Sequence, residues 1–370
     1  MKINKLVFVG MSGGVDSSVA AYLLKKDGYD VVGVFIRGYN VDGCQDRDAE
    51  DARKVAGKLG TPFYVWNFEK EYKKKVVDYM IAGYRRGETP NPDVMCNKEI
   101  KFGLFFERAM KLGADYVATG HYVRKSGGFL RVAKDANKDQ SYFLWTLTPK
   151  QIEKSLFPIG EYLKPEVRKI AKRAGLPTAE KKDSQGICFL GEVNFKDFLK
   201  KYIPEKTGAV LDSKGKKIGE HMGAHFYTIG QRGGVGNLKH EKGQKNHVPL
   251  YVVKKDVKKN ILVVAEGAEN PELYKKSVYL GGVNFRGTSQ PSLIRANMRI
   301  DVSARVRYRQ SLFDAVLSRK NGKWRLDFKT PQKFVAPGQS AVFYSEKGEM
   351  LGGGIITVIA HNKRLPKTGS

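Results

Sequence analysis

Cysteine is scarce in this sequence. Cys44, Cys96 and Cys188 are its three cysteines, and no two of them have C-x-x-C spacing. An odd number at these spacings supports neither a disulfide framework nor a four-ligand zinc site. We therefore expect either inert packing residues or reactive thiols in a reducing compartment.

Long apolar runs are also absent. No run approaches the roughly 18 apolar residues of a membrane span, and the N-terminus opens on a buried-strand pattern instead of a signal peptide. We expect a protein that does not enter the membrane and lies in the cytoplasm, or in the mitochondrial matrix if a transit peptide has been removed. Residues 365–369, Leu-Pro-Lys-Thr-Gly, match a sortase signal in letters, which we interpret as coincidence or a tag.

Acidic residues are few compared with basic ones. The chain has 38 Asp and Glu against 66 Lys and Arg, for a formal net charge of +28. The positive charges extend from Lys2 to Lys367, which suits a long phosphate backbone that crosses several domains. The alternative is a solvated basic surface without a polyanionic partner.

The order of the patterns predicts the fold. The chain has 370 residues, 41% of them hydrophobic, which is enough for two or three domains. Apolar runs at 6–11 and 31–36 flank a helical pattern at 15–26, and a further helical pattern at 46–59 precedes strand-like runs at 63–66 and 116–119. These alternations predict an α/β domain with a parallel sheet and helices on both faces.

The texture changes after Pro204. Short β-branched or aromatic runs alternate with glycine turns, including a hairpin signal at 211–215 and turns at 321–322 and 347–348. This pattern predicts two small β domains, most simply closed barrels. The expected boundaries are 1–204 for the α/β domain, 205–272 for a central β domain and 273–370 for a C-terminal β-barrel domain.

A glycine-rich loop lies between the first predicted strand and helix. Its residues 10–18 read Gly-Met-Ser-Gly-Gly-Val-Asp-Ser-Ser, so backbone N–H groups and a helix N-terminus can hold an anion. The loop lacks the lysine of G-x-x-x-x-G-K-[ST], which disfavours kinase or GTPase chemistry. It resembles the PP-loop of ATP pyrophosphatases, and the alternative is a structural glycine turn.

That resemblance implies a reaction type. PP-loop enzymes cleave ATP between the α- and β-phosphates and adenylate a substrate oxygen. It also implies that Asp16 helps to hold magnesium on the phosphates and that Ser12, Ser17 and Ser18 donate hydroxyls. The loop does not define the acceptor, because amidotransferase-type synthetases and tRNA thiolases share it.

Two of the cysteines lie in segments that suit sulfur chemistry. Cys96 follows the prolines of 89–92 and begins a helical pattern, and Lys98 and Lys101 nearby would depress the pKa of its thiol. Cys188 lies in a glycine-bracketed loop at 182–192. Two cytosolic thiols on separate loops fit a relay in which one carries a persulfide and the other closes a disulfide. For either cysteine alone a buried packing role is the favoured interpretation, and the flanking motifs reverse this preference.

A series of segments resembles one family in order along nearly the whole chain. They are 91–102, 118–122, 137–144, the Cys188 loop, 228–232, 307–310 and 337–344. Together they are similar to the tRNA-specific 2-thiouridylase family, which has bacterial and mitochondrial members. One departure is 233–238, Gly-Gly-Val-Gly-Asn-Leu, where the family usually has Lys-Gly-Leu-Gly-Ile-Gly, so a contact of that lysine with tRNA is not carried over.

The family resemblance implies a role for each matching position. The residues that would contact ATP are Gly10, Met11, Ser12, Gly13, Gly14, Val15, Asp16, Ser17, Ile36 and Gly120. The catalytic residues would be Cys96 as nucleophile, Cys188 as persulfide carrier and Asp93 as general acid/base. Asn91, Pro92 and Asp93 would meet a flipped base, and the other tRNA-contacting residues would be His121, Lys138, Asp139, Gln140, Arg307, Tyr308 and Gln339.

The resemblance also implies the partners. These are ATP with magnesium, tRNA of the Lys, Glu and Gln isoacceptors, and a sulfur-relay protein or cysteine desulfurase; a monomer is expected. Taken alone, His121 after a strand is more typical of a packed or capping residue, and Arg307 with Tyr308 of an ordinary exposed strand pair. Two rival functions stay open: a PP-loop ligase or amidotransferase that acts on a small molecule, and an RNA-binding protein with a vestigial ATP site.

Overall fold

The computed structural model describes residues 5–40, 43–182, 194–234, 237–238, 248–285 and 299–357. Within these ranges the strands are β1 (Leu6–Gly10), β2 (Asp30–Arg37), β3 (Phe63–Asn67), β4 (Tyr116–Thr119), β5 (Arg124–Ser126), β6 (Phe129–Arg131), β7 (Ser155–Leu156), β8 (Gly208–Leu211), β9 (Lys217–His221), β10 (Asn237–Leu238), β11 (Leu250–Asp256), β12 (Ile261–Glu266), β13 (Tyr274–Phe285), β14 (Arg299–Arg305), β15 (Phe313–Lys320), β16 (Lys323–Lys333), β17 (Ser340–Tyr344) and β18 (Met350–Thr357).

The α-helices of the same ranges are α1 (Val15–Lys26), α2 (Cys44–Leu59), α3 (Glu69–Tyr72), α4 (Asp78–Arg85), α5 (Pro92–Met95), α6 (Phe106–Lys111), α7 (Pro149–Glu153), α8 (Lys164–Arg173) and α9 (Phe195–Lys200). Lys73–Val77 and Cys96–Phe105 are π-helical, and Ser141–Phe143, Ala224–Phe226 and Pro271–Leu273 are short 3₁₀ turns. None of the helices described is long and apolar enough to cross a membrane.

A five-stranded parallel sheet forms the centre of the α/β part, with the strand order β3-β2-β1-β4-β7. The inner strands β1, β2 and β4 are largely apolar and buried, as is usual when helices cover both faces of a parallel sheet, whereas Tyr64 and Val65 of the edge strand β3 are exposed. The core between sheet and helices includes Val7 and Val9 from β1, Val19 from α1 and Val55 from α2. The predicted parallel α/β domain is confirmed.

The helices α1 and α2 end where the sequence indicates; α1 also begins there, whereas α2 begins at Cys44, two residues before the predicted start. α1 ends at Lys26 and is followed by Gly28 at φ +90°, a conformation that glycine adopts without strain. α2 ends at Leu59 with Gly60 in the left-handed conformation. Small residues on the inner face of α2, Ala52 and Ala56, are fully buried and let the helix lie close to its neighbours.

The central β part is a five-stranded sheet with the order β10-β9-β8-β12-β11. β8 and β9 form the predicted hairpin, whose turn is held by Asp212 Oδ1 accepting from the N–H groups of Lys214 and Lys216. β8 pairs in parallel with β12, and the other pairs of this sheet are antiparallel. Its core comprises Val210, Ala224, Tyr227, Val252, Leu262 and Val264.

The C-terminal β part is a closed six-stranded barrel with the order β13-β16-β15-β14-β17-β18. The turn between β15 and β16 is the predicted Asn321-Gly322, and both residues have positive φ, at 50° and 74°. Such a two-residue turn matches the twist of the strands it joins. The predicted C-terminal barrel is confirmed.

The described residues group into two compact units. The first unit draws on 1–78, 92–194 and 344–352, and the second on 79–91, 195–343 and 353–370. The second unit therefore contains the central sheet and most of the barrel strands. The expected domain boundaries at 204 and 272 stay a prediction.

Candidate active site

The glycine loop lies at the topological switch point of the parallel sheet. β1 pairs with β2 on one side and β4 on the other, and Gly10 at its end is in register with Val34 of β2 and Thr119 of β4. The chain moves outward from β1 through β2 to β3 and then returns to β4 across β1. In open α/β sheets ligands bind outside the carboxyl ends of the strands at such a point.

Two glycines allow the backbone around the loop to approach closely. Gly13 has φ +73°, and a Cβ on it would lie 2.2 Å from the carbonyl oxygen of Asp48 on α2. A Cβ on Gly120, which follows β4, would lie 2.6 Å from the nitrogen of Ser17. Both glycines therefore permit a compact cradle between β1, α1, α2 and β4. Ile36, half-buried near the end of β2, is on the neighbouring strand.

The serines of the loop brace its turn. Ser17 Oγ accepts from the N–H of Ser12 at 3.1 Å and donates to the carbonyl of Gly14, also at 3.1 Å. Ser18 Oγ donates to the same carbonyl at 2.8 Å and accepts from Thr178 Oγ1 at 3.0 Å. Gly14 itself caps α1 in an extended conformation, so the first N–H groups of the helix face the loop.

Asp16 is the charged centre of the loop. Lys164 Nζ lies 2.8 Å and 2.9 Å from its two carboxylate oxygens, and Tyr122 Oη donates to Oδ1 at 2.8 Å. Lys164 is the first residue of α8, and its backbone N–H donates to Asp135 Oδ2 at 2.9 Å. The α8 start thus joins the PP-loop through a partly buried ion pair.

Hydrogen bonds from the segment 135–144 hold the backbone of Tyr122 in place. Gln140 Oε1 accepts from the N–H of Tyr122, and the N–H of Gln140 donates to the Tyr122 carbonyl, both at 2.9 Å. Asp139 is buried, accepts from the N–H of Ala133 and from Ser141 Oγ, and so closes this loop. Lys138 is half-buried beside them. Of the expected tRNA-contacting residues, Asp139 and Gln140 therefore also hold the loop that positions Tyr122.

His121 lies buried directly after Gly120. Its Nδ1 is 2.8 Å from Thr119 Oγ1, and its ring lies near those of Phe102 and Phe157, at centroid distances of 6.0 Å and 6.5 Å. Burial, followed by the charge of Lys101, lowers the pKa of His121 well below 6.5. The imidazole is consequently neutral at physiological pH, and a direct tRNA contact by His121 stays a prediction.

The low pKa of His121 predicts a pH dependence of stability. The unfolded imidazole takes up a proton below about pH 6.5 and the folded one does not, so stability falls as pH drops through that value. The slope from this residue reaches about 1.4 kcal/mol per pH unit. Denaturant unfolding between about pH 7.5 and about pH 5 should show a shallower slope for His121→Gln than for the unsubstituted chain. Equal slopes would contradict a neutral His121.

Cys96 begins the π-helical segment of a continuous helical stretch that runs from α5 to α6. Its side chain is buried, while Asp93, one turn earlier in α5, is half-buried. π-Helical segments are rare and are frequently found at functional sites. Further along the segment, Phe105 packs near Gly10 and Phe102 near His121, so this segment adjoins the loop residues.

Cys188 lies outside the described residues, as do the neighbouring residues 183–193, but the start of its loop is described. Lys181 Nζ contacts Asp48 Oδ1 at 2.7 Å and Asp51 Oδ2 at 2.6 Å, both on α2. Burial lowers the pKa of Lys181, but the hydrogen bonds to these carboxylates outweigh this and raise it overall. Because the Asp48 carbonyl adjoins Gly13, Lys181, which precedes the Cys188 loop, lies close to the PP-loop. Residues 235–236, in the segment that departs from the family, and residues 358–370, which include the sortase-like letters, also lie outside the described residues.

Two segments of the resemblance, 228–232 and 337–344, contact Thr89 in the second unit. The N–H of Thr89 donates to the Pro337 carbonyl at 2.7 Å, and its carbonyl accepts from Gln339 Nε2 at 2.8 Å. Its Oγ1 donates to Thr228 Oγ1 at 3.3 Å. Asn91, two residues later, is buried. Gln339 is therefore connected to the loop that ends at Asn91 and Pro92.

Arg307 and Tyr308 lie elsewhere in the second unit, after β14. The guanidinium of exposed Arg307 is 5.5 Å from the ring centre of Phe334, and that of Arg309 is 5.2 Å from the ring of Tyr308. Phe334 also stacks on Tyr251 at 5.8 Å. Cations held over aromatic rings at a surface suit contacts with phosphate and unstacked bases.

The donor set fits magnesium only together with a nucleotide. The described residues contain no group of three or more His, Cys, Asp or Glu side chains that could hold a metal ion. Asp16 offers one carboxylate, beside the serine hydroxyls of the loop. Magnesium commonly binds in this way, through one or two carboxylates, substrate phosphates and water.

Sequence reasoning missed the residues that contact Asp16 and that anchor the Cys188 loop: Tyr122, Lys164 and Lys181. Tyr122 was within a matched segment but had no role assigned. For Lys164 a weak signal existed, because a lysine in the first turn of a helix opposes the helix dipole. No local pattern indicated that Lys181 contacts α2.

Family models of known proteins match three successive parts of the chain. Three family models match it, described as a tRNA methyl transferase HUP domain at residues 5–192, a tRNA methyl transferase PRC-barrel domain at 196–266 and an aminomethyltransferase beta-barrel domain at 275–356. A solved 4-thiouridine synthetase–RNA complex with bound ATP is 22% identical, with a TM-score of 0.32 over 48% of this chain and 43% of that one.

Curated relatives align over almost the full length. The tRNA-specific 2-thiouridylase MnmA of Streptococcus thermophilus (strain CNRZ 1066) is 48% identical over 360 residues, which cover 95% of this chain and 94% of the relative. The protein of the same name from Streptococcus agalactiae serotype III (strain NEM316) is 47% identical over 363 residues, 95% of each chain. With this identity over nearly its whole length, the chain belongs to the tRNA-specific 2-thiouridylase family.

Proposed function

We propose that this chain is an ATP-dependent tRNA-uridine 2-sulfurtransferase, which replaces the C2 oxygen of an anticodon wobble uridine with sulfur. The observation that carries the proposal is the 48% identity with a tRNA-specific 2-thiouridylase over 95% of the chain. The PP-loop at the switch point of the sheet supports the use of ATP, because its braced turn presents helix N–H groups where phosphates would bind.

The first half-reaction activates the uridine. Its C2 oxygen attacks the α-phosphorus of ATP, the bond from this phosphorus to the β-bridging oxygen breaks, and pyrophosphate leaves with the electron pair. Asp93 takes the N3 proton as general base, which leaves a neutral O-adenylated uridine. The reaction needs this step because a carbonyl oxygen is a poor leaving group, whereas AMP is a good one. Magnesium, when bound at Asp16, neutralises phosphate charge.

The second half-reaction transfers sulfur. The terminal sulfur of a persulfide on Cys188 attacks C2, the C2–O bond breaks and AMP leaves. The Cys96 thiolate then attacks the inner sulfur of Cys188, the sulfur–sulfur bond to the uridine breaks, and a Cys96–Cys188 disulfide forms. A dithiol reductant must later restore both thiols, and a sulfur-relay protein or cysteine desulfurase must reload Cys188.

The anchoring of Lys181 on α2 supports the proposal that Cys188 can reach the PP-loop. Lys181 is fixed on α2 beside the PP-loop, and Cys188 follows seven residues later. Seven extended residues span roughly 23–25 Å, which is longer than the triphosphate chain of a nucleotide. The two clamping carboxylates therefore give the Cys188 loop a starting point from which the thiol can reach the α-phosphate.

Recognition of tRNA is proposed for both units. The first unit offers His121, Lys138, Asp139 and Gln140 near the loop, and the second offers Arg307, Tyr308 and Gln339. The Thr89 contacts support a role for Gln339, because they connect it to the loop that ends at Asn91 and Pro92. A net charge of +28 supports attraction of a polyanion. The proposed substrates are the Lys, Glu and Gln isoacceptors, and the proposed setting is a cytoplasmic monomer.

Mass spectrometry of tRNA nucleosides tests this function. Incubation of the protein with tRNA, ATP, magnesium and a persulfide source should produce 2-thiouridine, together with equal amounts of AMP and pyrophosphate. AMP formation without tRNA would favour a small-molecule PP-loop ligase. Binding of tRNA with no ATP turnover would favour an RNA-binding protein with a vestigial nucleotide site. Either result would overturn the proposal.

A further inference from the structure

The PP-loop has to bind a strongly anionic ligand without a lysine of its own. Residues 10–18 contain no basic side chain and include the anionic Asp16. The α1 N-terminus contributes about half a positive charge, which is small beside the charge of a triphosphate. A further cation from elsewhere in the fold would therefore matter for binding and for the departure of pyrophosphate.

Lys164 is the lysine that the fold delivers to this loop. Its side chain is 11% exposed, and its ammonium contacts both oxygens of Asp16, whose own side chain is 32% exposed. The lysine backbone is fixed by Asp135, and the Nζ also lies 5.9 Å from the ring centre of Tyr122. Because Asp16 is the second residue of α1, this ammonium is held at the rim of the predicted phosphate site.

Stability alone accounts poorly for this placement. A carboxylate in the first turn of α1 is already favoured by the helix dipole, while a lysine in the first turn of α8 is disfavoured. Removing a lysine from water also costs free energy that one ion pair often fails to recover. Lys181 contacts the carboxylates of Asp48 and Asp51, and Lys164 contacts the carboxylate of Asp16, which also accepts from Tyr122.

We infer that Lys164 binds the β- and γ-phosphates of ATP and stays with pyrophosphate as it leaves. Lys164 then takes the role that the loop lysine has in other nucleotide-binding loops, although it comes from α8, 148 residues away from Asp16. Phosphate oxygens offer the ammonium charge-assisted hydrogen bonds in place of those to Asp16. This inference rests on the proposed function in taking ATP as the ligand.

Nucleotide affinity tests the inference without any thiolation assay. Calorimetric titration of the full-length protein with AMP, ATP and inorganic pyrophosphate, each with magnesium, compares the unsubstituted chain with Lys164→Met and Lys164→Arg. The methionine variant should bind ATP and pyrophosphate about tenfold more weakly or worse, and AMP within about twofold. The arginine variant should regain most of the lost affinity, because it restores the cation. Lys172→Met is the matched control: Lys172 lies on the same helix, is exposed and pairs with Glu180.

The ligand series separates a phosphate contact from a structural ion pair. Equal weakening for AMP, ATP and pyrophosphate with a lowered melting temperature would mean that Lys164 only joins α1 to α8, and would overturn the inference. Unchanged ATP affinity in Lys164→Met would overturn it as well. Failure of the unsubstituted chain to bind ATP would instead contradict the proposed function.

Discussion

Replacement of Cys96 or Cys188 by serine should abolish the formation of 2-thiouridine while tRNA-dependent release of pyrophosphate continues. Neither thiol takes part in adenylation, so the first half-reaction should survive. Serine cannot carry a sulfane sulfur or close a disulfide, so a loss of about a thousandfold or more in sulfur transfer is expected. A single turnover with radiolabelled ATP, followed by nucleoside mass spectrometry, measures both half-reactions in one sample.

Cys44→Ser is the matched control for the two cysteine variants, because the proposed relay does not use this third thiol. It should keep full thiolation. Peptide mapping without reduction should also find a Cys96–Cys188 disulfide after one turnover of the unsubstituted chain. Normal thiolation by Cys188→Ser, or a disulfide that includes Cys44, would refute the relay as proposed.

The local part of the site could be predicted from the sequence. An apolar run, a glycine turn and a helical pattern are consecutive in 6–26, and their order alone indicates a strand, a phosphate loop and a helix. A glycine-rich loop was predicted at 10–18, and within it Gly13 has φ +73°. The turn at Asn321-Gly322 was also predictable, because these two neighbouring residues themselves favour the positive φ values of a two-residue hairpin turn.

Contacts between distant residues could not be predicted in this way. Tyr122 and Lys164 meet Asp16 across 106 and 148 residues, and Gln339 meets Thr89 across 250. Such pairs depend on the strand order and on loop paths, which hydrophobic periodicity does not encode. The π-helical turns at Cys96 were not predictable either, since the pattern there suits an ordinary α-helix and does not encode i→i+5 hydrogen bonds.

Alanine at position 13 should strongly weaken ATP binding and lower stability. The residue would have to adopt φ +73°, and its Cβ would lie 2.2 Å from the Asp48 carbonyl oxygen, which belongs to the backbone of α2 and cannot rotate away. The left-handed conformation alone costs roughly 1–2 kcal/mol, and displacement of α2 or the loop adds to this. An ATP affinity lower by about a hundredfold or more is expected, because the N–H groups of the loop would no longer converge on the phosphates. Calorimetric titration and thermal unfolding measure the two effects.

Gly57→Ala provides a control with the opposite sign. Gly57 lies inside α2, its φ is not positive, and a Cβ there would meet no atom within 4 Å. Alanine should therefore stabilise the helix by about 0.5–1 kcal/mol and leave ATP affinity unchanged. A Gly13→Ala variant that binds ATP as well as Gly57→Ala does would show that the close approach of the loop to α2 is not required for nucleotide binding. The PP-loop would then have to hold the phosphates through its side chains, although its serines already brace the turn. Its backbone geometry, on which adenylation is proposed to depend, would not be what binds the phosphates.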